Sequence, residues 1–143
     1  SIKDWKKPFE KIEIGTGIQL KEGNKTAILS IGTIAKNVFD ALDLVDNKTA
    51  FSHYDMRFIK PLDEKLLHLI FQKHQTIITI EDGTIKGGFG SAILEFASEY
   101  NYQNRIETLG IPDNFIEHGT VSMLQHKIGL DAKSLANQFY LFS

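Results

Sequence analysis

Short runs of β-favouring apolar residues take turns with apolar stripes at helical spacing, and this alternation limits the chain to few architectures. The runs are Thr26 to Gly32 (TAILSIG), Thr49 to Asp55 (TAFSHYD), Thr76 to Asp82 (TIITIED) and Ile106 to Ile111 (IETLGI). Between and after them, Ile34, Ala35, Val38, Leu42 and Val45 recur at helical spacing. So do Leu66, Leu67, Ile70 and Phe71, and then Phe89, Ala92, Ile93, Phe96, Ala97 and Tyr100. Met123, Leu124 and Ile128 mark a short helix, and Ala132, Leu135, Ala136, Phe139 and Tyr140 a final one. Strand and helix periods cannot be satisfied by the same segment. Strands that are apolar throughout, joined by helical segments through short connections, belong in a parallel sheet covered on both faces. The alternating segment Gly17 to Lys21 reads as a short edge strand. The expected fold is therefore α/β, three layers α/β/α, with an open, mostly parallel sheet of about five strands and one antiparallel edge strand. Asp63, just after Pro61, is the predicted N-cap of the second helix.

Ser1 to Gly15 shows neither period and holds Trp5, Pro8 and Phe9 among lysines. It reads as a linker or arm, with the domain proper at residues 16–143. The 143 residues suit one domain, and 42% hydrophobic residues suffice for a core. A net charge of −2 gives no electrostatic reason to expect nucleic acid or an anionic membrane as partner. The absence of cysteine removes disulfides, thiolate metal sites and cysteine nucleophiles. No apolar run approaches the roughly 18 residues a membrane span needs, and no signal-peptide pattern opens the chain. The first residue, Ser1, suggests a piece of something larger.

The most chemical-looking stretch is EDGTIKGGFG, Glu81 to Gly90, with four glycines in its last eight residues. Such a loop can cradle phosphate, or it can let a helix approach a sheet. A dinucleotide fingerprint needs G-x-G-x-x-G after the first strand. Gly88-Phe89-Gly90-Ser91-Ala92-Ile93 lacks the third glycine and follows a later strand. The Gly-Lys-Ser/Thr of a Walker loop is absent. Gly87, Gly88 and Gly90 are therefore expected to be structural, serving a tight turn and close helix-to-sheet packing. The five histidines show neither H-x-H nor H-E-x-x-H spacing, and no G-x-S-x-G elbow is present. In a parallel sheet, ligands tend to sit beyond the carboxyl ends of the strands. The residues placed there are Asp55, Arg57, Glu81, Asp82 and the Ser30–Gly32 and Gly110–Pro112 segments, with His118 nearby. Arg57 is expected to pair with an acid of this rim. Arg57 and His118 are the candidates for meeting an anion, although three acids on the same rim would repel one.

Three stretches together carry a resemblance: YDMRFIKPLDEKLL (Tyr54 to Leu67), TIEDGTIKGGFGSAILEF (Thr79 to Phe96) and LGIPDNFIEHGT (Leu109 to Thr120). With the approach from Glu10 to Thr33, they resemble the C-terminal domain of the 1-deoxy-D-xylulose-5-phosphate synthases, within the transketolase superfamily. True transketolases and the β subunits of 2-oxoacid dehydrogenases share the domain type and remain the alternatives. The resemblance implies a parent enzyme that joins pyruvate to glyceraldehyde 3-phosphate with loss of carbon dioxide, using thiamine diphosphate and Mg2+. It also implies a cytoplasmic homodimer whose preceding catalytic domains are this domain's partners in the same chain. The product would feed isoprenoid, thiamine and pyridoxal synthesis. The family's cofactor motif, G-D-G with following asparagines, belongs to its first domain, and Glu81-Asp82-Gly83 echoes it only superficially. No catalytic, cofactor-binding or metal residue carries over. The expected role is domain packing and assembly. A small-molecule regulatory site on the strand-end rim is the other reading.

Overall fold

The computed structural model describes residues 10–113 and 118–143. Five strands form one sheet: β1 (Ile18–Lys21), β2 (Thr26–Ile31), β3 (Phe51–Asp55), β4 (Thr76–Thr84) and β5 (Arg105–Ile111). Their order is β1-β3-β2-β4-β5. The pairs β3–β2, β2–β4 and β4–β5 are parallel, and β1 runs antiparallel to β3. The helices are α1 (Ala35–Leu44), α2 (Glu64–Lys73), α3 (Phe89–Glu99), α4 (Val121–Lys127) and α5 (Ala132–Phe139).

Side chains alternate across a strand, so each central strand feeds two cores. Ile28, Ile78 and Ile80 pack with Val38 and Leu42 of α1 and Leu135 and Phe139 of α5. Ala27, Leu29 and Ile77 face the other way, onto Leu67 and Phe71 of α2 and Ile93 and Phe96 of α3. Each fully buried Ile or Leu contributes about 1.5–3 kcal/mol relative to exposure, so β2 and β4, buried on both faces, anchor the domain. Asp63 caps α2: its Oδ1 accepts from the Leu66 backbone N–H at 3.0 Å. Its Oδ2 accepts from the Gly17 N–H at 2.9 Å, fastening the entry of β1 to the start of α2.

The strand boundaries differ from the sequence reading where local turns intervene. Residues Lys48–Ala50 form a 3-10 turn, so β3 begins at Phe51. β4 continues past Asp82 to Thr84 through an irregularity against β5, where Ile80 pairs with Leu109 and Thr84 with Ile111. Trp5, Pro8 and Phe9 of the predicted arm lie outside the described residues.

Candidate functional site

The chain direction of the crossovers reverses between β2 and β4. β2 leads through α1 to β3 on one side, and β4 leads through α3 to β5 on the other. This is the crevice where sheets of this kind hold their ligands. Ser30 to Gly32 close β2 there, and Glu81 to Thr84 close β4. Asp55 ends β3 beside them.

The crevice is furnished by the protein's own acids. Glu81 follows Ile77 and Thr79 on the face that α3 covers, and it is only 4% exposed. Its two carboxylate oxygens accept the backbone N–H groups of Phe89 and Gly90, each at 2.9 Å. The first turn of a helix has N–H groups without intrahelical partners and a partial positive charge, which makes it an anion site. In this domain the anion is internal, a carboxylate where a phosphate would otherwise rest. The glycines make the space. A Cβ on Gly88 would stand 2.2 Å from Glu81 Oε2 and 2.4 Å from the Thr84 carbonyl, and one on Gly110 2.9 Å from Glu81 Cγ. A Cβ on Gly90 would meet Thr79 and Thr108 at 2.9 Å, so this glycine sets the approach of α3 to the sheet. Gly87 has no neighbour to avoid, but its φ of +74° requires a left-handed turn. The Thr79 hydroxyl beneath α3 is buried and has no hydrogen-bond partner.

Asp82, one residue on, points to the α1 face. Its Oδ2 accepts from the Thr33 hydroxyl at 2.5 Å. Asp55 Oδ1 accepts from the Arg57 backbone N–H at 3.0 Å. That turn holds Arg57 at φ +58°, a conformation seldom adopted outside glycine. The ion pair expected between Arg57 and a rim acid is not formed among the described residues. All three acids are already engaged, by α3, by Thr33 and by the Asp55 turn itself. Nor does a hydrogen bond join Arg57 to His118, which lies exposed before α4 in a shallow groove with Met123 and His126.

Beyond the ends of β4 and β5 lies a second, larger groove of about 460 Å3. Ile111, Val121, Leu124, Ile128 and Leu130 line most of it, with Thr33, Asp82 and Gln125 as its polar members. Only the apolar residues assigned to a short helix hinted at this groove in the sequence.

Two histidines are buried at β3: His53 within the strand, reaching Ser30 at the end of β2, and His74 just after α2, reaching Ser52. His53 Nε2 is 2.8 Å from the Ser30 hydroxyl, and His74 Nε2 is 2.9 Å from the Ser52 hydroxyl. Burial, helped by the charge of Lys21, pushes His53 down to about 4. His74 is also lowered, chiefly by burial. Both rings are neutral at pH 7. Ser30 and His53 are almost wholly inaccessible, so the pair is a satisfied core contact and not a nucleophile with its base. Lys21 closes the amino edge by donating to the carbonyls of Lys48, Glu22 and Phe51.

The residues do not fit a thiamine diphosphate–Mg2+ site. Glu81 is spent on α3 and Asp82 on Thr33. No cluster of three or more His, Cys, Asp or Glu able to hold a metal exists among the described residues. No helix among them is long and apolar enough to cross a membrane.

Comparison with known proteins follows the same lines. Residues 15–135 match the family model for the transketolase C-terminal domain. A 1-deoxy-D-xylulose-5-phosphate synthase of Parabacteroides distasonis is 46% identical over 138 residues, covering 96% of this chain and 22% of that protein. Those of Cytophaga hutchinsonii and Bacteroides fragilis are 48% and 47% identical, covering 93% and 94% of this chain and 21% of each relative. The chain thus spans about a fifth of the curated relatives it matches. Among solved structures, a split-gene transketolase described as an inactive β4 tetramer superposes with a TM-score of 0.83 at 29% identity. The match covers 93% of this chain and 44% of that one.

Proposed function

The chain belongs to the family of transketolase C-terminal domains, and from that membership we propose that it is the non-catalytic third domain of a cytoplasmic 1-deoxy-D-xylulose-5-phosphate synthase. The parent would condense pyruvate with glyceraldehyde 3-phosphate in its preceding domains, with thiamine diphosphate and Mg2+ supplying a nucleophilic carbon that also takes up electrons. This domain would pack against those domains and help hold the homodimer. Its effect on rate would come through positioning.

One observation carries the reading. The crevice that would take a phosphorylated ligand in this architecture is filled by Glu81, held by two backbone N–H groups of α3. The relatives' shared name supports the choice of parent over transketolase or a dehydrogenase β subunit. Calorimetric titration of this domain with thiamine diphosphate and Mg2+ tests it. No binding is expected up to millimolar cofactor, and micromolar binding would overturn the non-catalytic assignment.

A regulatory module is the second reading, and the groove beside α4 favours it. A ligand there would raise the melting temperature at saturation by mass action. A thermal-shift panel of phosphates and nucleotides that moves nothing removes this reading for those classes.

A further inference from the structure

We propose that the carboxyl rim, from Arg57 across to the outer face of α4, is the surface on which the preceding domain of the full-length polypeptide docks. This rests on the packing role above, and it names the face and the chemistry of the contact.

The first support is α4. It has seven residues and buries none of them. Val121 is 72% exposed and Met123 66%. Isolated helices shorter than about 12–15 residues are marginal in water, so a helix this short relies on packing. Val121 and Leu124 instead border an open groove with Ile111, and Met123 borders the neighbouring one beside His118. The second is the route of the chain. β1 is antiparallel, so it starts where β3 ends, with Ile18 opposite Asp55. Asp63 clamps Gly17 at that same rim. About four-fifths of each matched relative lies outside the matched region, and a domain joined ahead of Gly17 would connect to this one at the carboxyl rim.

The third support is charge. The three rim acids are engaged, while Arg57, held in a left-handed turn, has no ion-pair partner among the described residues. The amino edge differs: Lys73 pairs with Glu22, and Lys48 with Asp43. One edge is thus a compensated, solvated surface. The other offers an apolar groove, the Lys86–Asp113 pair and, in Arg57, a guanidinium that makes no ion pair among the described residues although three acids share its rim. The occupant it fits is a protein surface with an apolar ridge for the groove and a carboxylate for Arg57, the bidentate geometry arginine favours.

The test compares amide hydrogen exchange in the full-length protein with exchange in this chain alone, whose two cores close within the chain. Peptides covering Arg57 and α4 should exchange at least tenfold more slowly in the full-length protein, with the amino edge around Glu22 and Lys73 unchanged. In the full-length protein, Val121→Asp with Met123→Asp should abolish that slowing. The same pair should leave the melting temperature of this chain alone unmoved, since neither side chain is buried. Slowing confined to another face would overturn the proposal and leave the packing role standing. No slowing on any face would overturn both. Slowing at α4 in this chain alone, growing with its concentration, would assign the groove to a second copy and overturn the proposal.

Discussion

Replacing Glu81 with Gln removes one charge and almost no volume, so it isolates what the carboxylate does for α3. In the native domain both oxygens accept buried N–H groups at 2.9 Å. Hydrogen bonds to a charged partner contribute about 1.5–3 kcal/mol each. The amide keeps one acceptor oxygen and turns an NH2 group toward the other N–H, leaving that donor buried and unpaired. The loss of negative charge at the helix start adds about 0.3–2 kcal/mol. Together these give an expected destabilisation of about 2–4 kcal/mol. For a domain of this size that lowers the melting temperature by roughly 10 °C. Urea unfolding should show the midpoint falling at unchanged slope, as expected for a change in stability without a change in compactness. Asp82→Asn is the control: the exposed contact to Thr33 should cost less than about 1 kcal/mol. A Glu81→Gln domain that melts within about 2 °C of the parent would refute the claim that this carboxylate neutralises the helix start.

Other consequences follow from the same geometry. Gly87 needs only a left-handed backbone, which Asn tolerates, so Gly87→Asn should stay within about 1 kcal/mol of the parent in urea unfolding. Gly88→Asn should cost about 1–3 kcal/mol, because its Cβ would enter the space of the Glu81 carboxylate and the Thr84 carbonyl; equal losses at both positions would contradict the distinction. Acid should weaken the fold through His53. Its folded value of about 4 lies below the ordinary histidine value of 6.5, so the unfolded chain binds the proton more tightly. Stability is then complete above pH 6.5 and falls as pH drops toward 4, by about 2 kcal/mol at pH 5. His74 shifts the same way. Urea midpoints at pH 7, 6 and 5 measure this, and a flat profile would show that neither ring is held neutral.

Much of the architecture was legible because the signals are periodic. β-branched runs alternating with helical stripes required a covered parallel sheet, and Asp63 announced the helix start that it caps in the structure. The strand order was not legible, because nothing in a single strand says which neighbour it pairs with. The rim acids show the same limit. Glu81 and Asp82 read as two adjacent charges at a strand end. Alternation sends them to opposite faces, but only the placement of α3 over one face tells which of them is buried. The signal that existed was the ring of glycines, since Gly88 and Gly110 are small where Glu81 needs room. Ser52 and His53 are polar side chains buried inside β3. Their partners, His74 and Ser30, come from 22 and 23 residues away and are joined only by the fold.

The central claim, a domain that supports catalysis without taking part in it, is tested most directly by turnover in the full-length protein. Asp55→Asn, Asp82→Asn and His118→Ala each remove a titratable group from the rim. Losing a general acid or base typically costs about 10²–10⁴ in rate. Formation of 1-deoxy-D-xylulose 5-phosphate, measured per correctly assembled molecule, should stay within about threefold of the parent for all three, far inside that range. A loss of a hundredfold or more in any one of them, with assembly intact, would place a catalytic residue in this domain and contradict the account.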